Sequence, residues 1–547
     1  MKANSELDCI LVGYNDIDLG WVDAELKPVR HASGGYRHFR SNTLVIDGKR
    51  RHYTDLLNRT LTEATGRPHA LHVARTPSLP CMILKSFLAA RGLHSEIVNF
   101  FNHDSERLVE LLGQNPRAVA ITTTVYTTAR PVIEVVEFIR RHNADVKIIV
   151  GGPHIYNTCS DNDVEIQDFL LGEMGADIYV FDSQGELTLS RIVQELRERN
   201  PDLSKIPNVI YTNDGLTFER GQRQVENNDL ESGVINWHLF ERDYVTPFAW
   251  MRTARSCAFS CAFCRYPALG GALTLNSIEV LEQQLRTLSE IGVKHLYFID
   301  DTFNVPLPRF KQLCKMMIRN KFDIQWTSYF RCANADDETF DLIKEAGCVA
   351  VFAGIESGDQ QILKNMNKKA RVEAYKYGLK ALADRDIMVY ASFILGFPGE
   401  TAESVQNTLE FIDETAPTFY SAEAYYHDPK VPIEERAAEF GLKGSAYSWS
   451  HATMDWQEAQ DHVETLHRRV DKSAFLPLYG VDVWSVPYFL QNGVSRPQLT
   501  DFLNVAQKMI VRSFDEAEPD YSQEKETLKA IFAPAAGDTA APVVELL

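Results

Sequence analysis

The sequence predicts an α/β protein with a doubly wound parallel sheet, then a β/α barrel, then a mostly helical C-terminal domain. Three observations carry this reading. Short apolar runs alternate with helical periodicity between residues 67 and 200, as in a parallel sheet covered on both faces. The alternation resumes from 277 to 401 in units of about 30 residues, as in a β/α barrel. Between the two stretches, Cys257, Cys261 and Cys264 fall on one short loop.

In the first stretch residues 69–74 read as a strand, and 77–91 as a helix closed by Gly92. Further strands are read at 94–100, 118–122, 146–150 and 177–181, with helices at 131–142 and 186–199. This is a Rossmann-like order, and its ligands lie beyond the carboxyl ends of the strands. The candidate binding residues are therefore Arg75 and Thr76, Thr123, Thr124 and Tyr126, Gly151, Gly152, Pro153 and His154, and Gln184, Gly185 and Glu186.

In the second stretch helices are read at 277–291, 308–320, 336–346 and 375–384, and strands at 294–299, 324–329, 349–353 and 388–395. Polar groups recur at the strand ends: Asp300 and Asp301, Ser328 and Arg331, Glu356 and Ser357. Active sites of such barrels lie at that end. Residues 396–401 read first as a structural turn, with Thr401 capping the next helix. From about 420 the pattern changes to aromatic and polar loops, followed by helices near 457–472 and 496–512. Tyr425, Tyr426, His427 and His451 are the substrate-site candidates there. The expected organisation is an N-terminal extension at 1–66, the Rossmann-like domain at 67–205 and a linker at 206–245. The barrel follows at 246–420, then a C-terminal substrate or capping domain at 421–532 and a disordered tail at 533–547.

The net charge of −19 argues against nucleic acid as a partner. No apolar run is long enough for a membrane span. The opening Met1 to Glu6 has no apolar stretch of a signal peptide, so a cytoplasmic, monomeric protein is expected. Nine cysteines, mostly scattered, do not make a disulfide framework.

The cysteine spacing is C-x3-C-x2-C. Three thiolates this close can hold three irons of a cubic iron–sulfur cluster and leave the fourth iron open. The alternatives are unliganded core cysteines or a zinc site. Zinc usually takes four ligands, and no Cys or His follows close behind Cys264.

The run resembles the cluster motif of the radical S-adenosylmethionine (SAM) superfamily, including the aromatic Phe263 before the last cysteine. The resemblance implies a 4Fe–4S cluster whose open iron chelates SAM, in a radical SAM barrel of partial TIM type. Asp300, Asp301, Ser328, Glu356 and Ser357 would surround SAM, and Arg331 would meet its carboxylate. The sheet before the barrel resembles the cobalamin-binding domain of one radical SAM class. It lacks D-x-H-x-x-G, so neither His72 nor His154 is implied as a cobalt ligand. Arg75 and Tyr126 are the candidates to lie near cobalt's lower face.

Four runs carry a narrower likeness: 11–16, 253–257, 300–306 and 449–451. They resemble the cobalamin-dependent methyltransferases that include the phosphinothricin-pathway P-methyltransferase and the thiostrepton-pathway tryptophan 2-C-methyltransferase. This implies methyl transfer from SAM via methylcobalamin to an unactivated carbon or phosphorus centre of a natural-product precursor. An electron donor such as flavodoxin or ferredoxin is implied as a partner. Two other readings stand beside it: cyclisation or rearrangement without methyl transfer, and a non-catalytic cobalamin and iron–sulfur sensor. A side chain such as Glu279 or Glu282 could close the fourth iron to SAM.

Overall fold

In the computed structural model residues 6–533 are described, apart from 27, 30, 31, 479, 482, 483, 517 and 518, so the tail expected at 533–547 lies almost wholly outside the described residues. The chain divides into two units. One comprises Met1–Ile17 and Ala74–Trp250, the other Asp18–Val73 and Met251–Leu547.

The first unit is built on a seven-stranded sheet. Its order is Ser95–Phe100, Cys9–Tyr14, Ala118–Thr122, Lys147–Gly151, Ile178–Val180, Val209–Tyr211 and Glu219–Arg220. The first five strands pair in parallel, and the last two pairings, Ile178–Val180 with Val209–Tyr211 and Val209–Tyr211 with Glu219–Arg220, are antiparallel. Successive residues feed opposite cores. Ile10, Val12, Ile121 and Val150 enter one, and Cys9, Leu11, Ala120 and Ile149 the other. Strands buried on both faces read as continuous apolar runs, which is how Cys-Ile-Leu-Val at 9–12 is written.

Three expectations change here. Residues 69–74 form no strand. They run irregularly into the short helix Val73–Arg75, and Cys9–Tyr14 takes the sheet position instead. His69 and His72 interrupt the apolar run at 69–74, whereas 9–12 is uninterrupted. The extension at 1–66 is accordingly divided, its first strand in this sheet and Asp18–Val73 in the other unit. The linker at 206–245 carries the two antiparallel edge strands.

The second unit holds six strands of a second sheet, in the order His295–Phe298, Gln325–Tyr329, Cys348–Glu356, Met388–Leu395, Phe419–Ala424 and Ala474–Phe475. Pairing is parallel from His295–Phe298 onward. Helices Ile278–Ile291, Leu307–Asn320, Asp337–Glu345, Val372–Ala383 and Ala402–Thr415 connect the strands. Phe298 and Trp326 pack with Phe303, and Phe303 with Phe310 of the helix Leu307–Asn320, so this strand face is helix-covered. The other face carries a row in which Tyr329 meets Phe352 and Phe352 meets Tyr390, each pair at 4.7 Å. Thr401 caps Ala402–Thr415, sharing reciprocal bonds with Ser404, as its turn reading implies.

The expected barrel boundary at 420 falls inside the strand Phe419–Ala424, and one more strand follows near 474. The first was obscured by Ser421 and Glu423, the second by its length of two residues. The C-terminal part also contains a small antiparallel sheet, Lys443–Ser445, Ser448–His451 and Met454–Asp455, among its helices. Segment Asp18–Val73 is fastened to the helix Trp456–Arg469. Arg37 and Arg40 meet Glu464 at 2.7 and 2.6 Å, and Arg37 meets Asp461 at 2.6 Å.

Candidate cofactor sites

The cysteine loop leaves the short strand Ala254–Arg255, turns at Ser256 with φ of 73°, and is held at three points. Ala262 N donates to Met366 O at 2.8 Å, Ile433 N donates to Ala262 O at 2.9 Å, and Asn367 Nδ2 donates to Ser260 O at 2.7 Å. Cys261 is buried, while Cys257 and Cys264 are partly exposed. Cys257 Sγ lies 3.2 Å from Thr302 Oγ1. Two cations flank the loop. Arg331 lies 3.8 Å over the Phe259 ring, and Lys368 Nζ lies 5.5 Å from the Phe263 ring centre. Burial raises the Cys261 thiol above its ordinary value, and Lys368 and Arg331 oppose that shift. Cations beside a buried thiol favour the thiolate that metal ligation requires. Among the described residues no three His, Cys, Asp or Glu side chains are gathered as a single metal ion would need.

The strand-end residues divide into distinct jobs. Asp300 is 3% exposed and its carboxylate binds the chain that leads into the cysteine loop. It accepts from Thr253 N at 2.7 Å, from Ala254 N at 3.0 Å and from the Thr253 hydroxyl. These bonds occupy the carboxylate, so the structure assigns Asp300 to loop support rather than to SAM. Asp301 reaches solvent, yet the protein packed around its carboxyl, and then the charge of Asp300, push that group up to about 6. Ser328 is fully buried, and strand alternation puts it on the helix-covered face with Trp326, away from the expected SAM position. Ser357 is also buried. Its hydroxyl accepts from Asp359 N at 3.1 Å and lies 3.3 Å from Thr408 Oγ1, so it too is structural.

Arg331 and Glu356 stay with the loop. Arg331 is 8% exposed, and its Nε donates to Asn334 Oδ1 at 2.9 Å. Among the described residues its Nη2 has no partner, a buried donor suited to a ligand carboxylate. Glu356 takes a left-handed φ of 71° and pairs with buried Lys368 at 2.7 Å. A Cβ at Gly354 would stand 2.4 Å from the Glu356 carboxylate, so only glycine leaves room for this pair. Lys368 was not foreseen from the sequence, where it is one of two adjacent lysines. Glu282 is bound by Arg286, Arg319 and Asn320 on the outer helices, which removes it as an iron ligand. Glu279 is an exposed first-turn residue of Ile278–Ile291.

In the first unit the predicted loops do gather at the carboxyl edge of the sheet. Thr123 Oγ1 donates to Gly151 O at 2.9 Å and accepts from His154 N at 3.2 Å. Gly152 has φ of 110°, and a Cβ there would meet Thr123 Oγ1 at 2.8 Å, so this turn requires glycine. Pro153 and His154 open the helix Pro153–Asp161, and burial lowers the His154 pKa. Thr124 is exposed and bonded to Thr122 at 2.9 Å, and Tyr126 is buried 6.2 Å from the ring of Tyr14. Gln184 and Glu186 hold the irregular segment 226–228 through Glu226 O and Asn228, and Gly185 starts the helix Glu186–Glu195 at φ of 82°. Thr76 Oγ1 accepts from Trp250 Nε1 at 3.1 Å. Arg75 is half-buried, and among the described residues it has neither an ion pair nor a side-chain hydrogen bond. An unpartnered guanidinium beside a glycine-shaped edge fits a cofactor carrying acceptor groups.

Of the substrate candidates, three are held within the protein. Tyr425 is 2% exposed among Phe397, Trp449 and His427. His427 Nε2 meets Glu434 at 3.2 Å, and His451 Nε2 faces Gly396 O at 3.2 Å. Only Tyr426 is exposed, at 56%.

By fold and site this is a protein of two α/β units, with a cysteine loop in one and a glycine-turned sheet edge in the other as its candidate cofactor sites. Comparison narrows the class. Residues 251–412 match the Radical SAM superfamily, and residues 73–180 match the B12 binding domain. The chain thus carries a radical SAM domain and a B12-binding domain, and these domains imply a 4Fe–4S cluster, SAM and cobalamin as its cofactors. An uncharacterised methyltransferase of Pyrococcus horikoshii is 29% identical over 311 residues, which is 54% of this chain and 64% of that protein. The chain spans less than two thirds of the length of the first curated relatives it matches. TsrM of Kitasatospora setae, a radical SAM methyltransferase with cobalamin and a 4Fe–4S cluster bound, is 17% identical with a TM-score of 0.56. That match covers 81% of this chain and 97% of TsrM. The cobalamin-dependent SAM radical enzyme OxsB, with aqua-cobalamin and SAM bound, gives a TM-score of 0.57 at 14% identity. That match covers 96% of this chain and 84% of OxsB. At these identities the likeness establishes the shared fold. No helix among the described residues is long and apolar enough to cross a membrane.

Proposed function

We propose that this protein moves a methyl group from SAM, by way of cobalamin, to an unactivated carbon or phosphorus centre of a small molecule. The supporting observation is the cysteine loop flanked by Arg331 and Lys368, in a chain that also carries a B12-binding domain. Bound there, the cluster and SAM would supply a 5′-deoxyadenosyl radical, and cobalamin a transferable methyl group. The chain's own residues would do the rest. Cys257, Cys261 and Cys264 would hold the cluster, the unpartnered Nη2 of Arg331 would receive the SAM carboxylate, and Asp300 would fix the approach to the loop. Arg75 and the Gly152 turn would receive cobalamin. Flavodoxin or ferredoxin would supply electrons to a monomeric cytoplasmic enzyme.

The test is anaerobic reconstitution with iron, sulfide and cobalamin, followed by turnover with SAM deuterated in its methyl group. Deuterium in the product is expected. A product without label would replace methyl transfer by cyclisation or rearrangement. Formation of 5′-deoxyadenosine in step with product supports the radical route, and its absence points to a closed fourth iron.

A further inference from the structure

Segment Asp18–Val73 reaches the barrel at a strand end as well as at its helices. His38, on the helix Gly34–Ser41, places Nδ1 2.9 Å from Oε2 of Glu423. Asn42, which caps that helix, places Nδ2 3.2 Å from each oxygen of the same carboxylate. Glu423 is the penultimate residue of Phe419–Ala424, at the carboxyl end where barrel sites form. Alternation and register decide which face it takes. Phe419 pairs with Tyr390, so Phe419, Ser421 and Glu423 share the face of the Tyr329–Phe352–Tyr390 row. Tyr420 points the other way, where its hydroxyl accepts from Gln507 of the helix Arg496–Asp515 at 3.2 Å. Glu423 therefore faces away from the helix layer.

Two further observations indicate a ligand. Ser421 is 1% exposed on that same face, and its hydroxyl has no partner among the described residues. The Glu423 side chain is 16% exposed, and among the described residues no lysine or arginine pairs with it, its one basic partner being an imidazole. A carboxylate has about four acceptor positions, and Asn42 reaches two of them while His38 adds only a close ion-pair contact. Withdrawn from water without a fixed cation, such a group favours a cationic ligand. Beside it Tyr447 stacks on His38 at 4.8 Å, and the exposed ring of Tyr426 stands 5.1 Å from Tyr447.

We propose that this is the substrate-recognition subsite of the barrel, and that it takes a small molecule carrying a protonated amine next to an aromatic ring. Glu423 receives the amine, the tyrosine pair receives the ring, and His38 and Asn42 are positioning residues. This rests on the reading of the barrel mouth as the catalytic face, yet its test needs no turnover.

Binding of phenethylamine to the full-length protein is measured by calorimetry, with 3-phenylpropionate as the charge control and 2-cyclohexylethylamine as the ring control. Phenethylamine is expected to bind about tenfold or more tightly than 3-phenylpropionate, the worth of one hydrogen bond to a charged group. Glu423→Gln should abolish that preference without lowering the melting temperature. His38→Gln and Asn42→Ala should reduce the ratio of amine to acid affinity severalfold, which a merely structural role would not do. If Glu423→Gln does not fold, Tyr447→Leu serves, and it should erase the preference for phenethylamine over its saturated analogue. Equal binding of amine and acid by the unaltered protein, or an amine preference that survives Glu423→Gln, overturns the proposal. Labelled methyl transfer is read separately, so either result can fail while the other stands.

Discussion

At the carboxyl edge of the first sheet, most polar side chains bind other parts of the same edge. Thr123 secures Gly151 and His154, Gln184 and Glu186 secure residues 226–228, and among the described residues Arg75 has neither an ion pair nor a side-chain hydrogen bond. At the barrel's edge the charged groups converge on one loop, with Arg331 and Lys368 on its two phenylalanines and Asp300 under its approach. The difference follows from what each edge receives. A broad neutral cofactor is accepted by shape, so the edge must be a rigid backbone cradle. A cluster held by thiolates carries negative charge, so its loop needs cations at short range.

The largest effect should come from breaking the barrel edge at its metal ligands. Cys261→Ala should remove the visible iron–sulfur absorbance after reconstitution and reduce SAM cleavage to background, while cobalamin uptake by the first unit is unchanged. Loss of cobalamin along with iron would show that the two edges do not act separately.

Asp300→Asn sharpens the assignment of support against ligand binding. The amide keeps one oxygen for Thr253 N and Ala254 N, but its NH2 replaces the oxygen that accepts from the Thr253 hydroxyl, and none of the three bonds is then to a charged acceptor. Hydrogen bonds to charged groups are worth about 1.5–3 kcal/mol against about 0.5–1.5 for neutral ones, so a fall in melting temperature and in iron content is expected together. Unchanged stability with weakened SAM binding would instead return Asp300 to the SAM site.

The first edge is tested more gently. Gly152→Ala places a Cβ 2.8 Å from Thr123 Oγ1 at φ of 110°, a strain of about 1–3 kcal/mol that should loosen the cradle. Arg75→Ala removes a donor that the protein itself does not use, so stability should hold while affinity for hydroxocobalamin falls about tenfold, as expected for one charge-assisted hydrogen bond. Absorbance titration measures both. A larger loss for Arg75→Ala than for Gly152→Ala would mean that charge, not shape, governs this edge.

Both edges were legible in sequence to the extent that local pattern encodes them. The cysteine spacing, the glycine turns and the strands at 118–122 and 388–395 are signals within a few residues, and the structure keeps them. What a side chain binds is settled by elements far apart in the chain. Asp300 and Asp301 are neighbours at one strand end, yet one grips Thr253 and the other meets solvent. Lys368 is recognisable only once Glu356 is beside it, and Glu423 only once His38 arrives from 385 residues upstream. Residues 69–74 misled because a half-apolar run beside a helix resembles a strand until Cys9–Tyr14 takes the position.

The smallest effect concerns Glu400, a carboxyl at the barrel edge that serves neither the loop nor a cation. It is wholly buried in the turn at 396–401, accepts from Gly396 N, and leaves Oε1 without a partner. Burial pushes its pKa up from 4.5 to about 8, with the charge of Asp359 adding to the shift. Between those values the folded protein holds a proton that the unfolded chain has released. The stabilising effect is therefore full below about pH 4.5 and is lost as pH rises toward 8, with a slope of at most about 1.4 kcal/mol per pH unit. Glu400→Gln keeps an acceptor for Gly396 and cannot ionise, so its melting temperature should fall less between pH 5 and pH 8 than that of the unaltered protein. The two curves should cross, with the variant the more stable at the alkaline end. Parallel curves would mean that the turn opens to admit water to an ionised Glu400, and that the barrel edge is less rigid than the sheet edge it is set against.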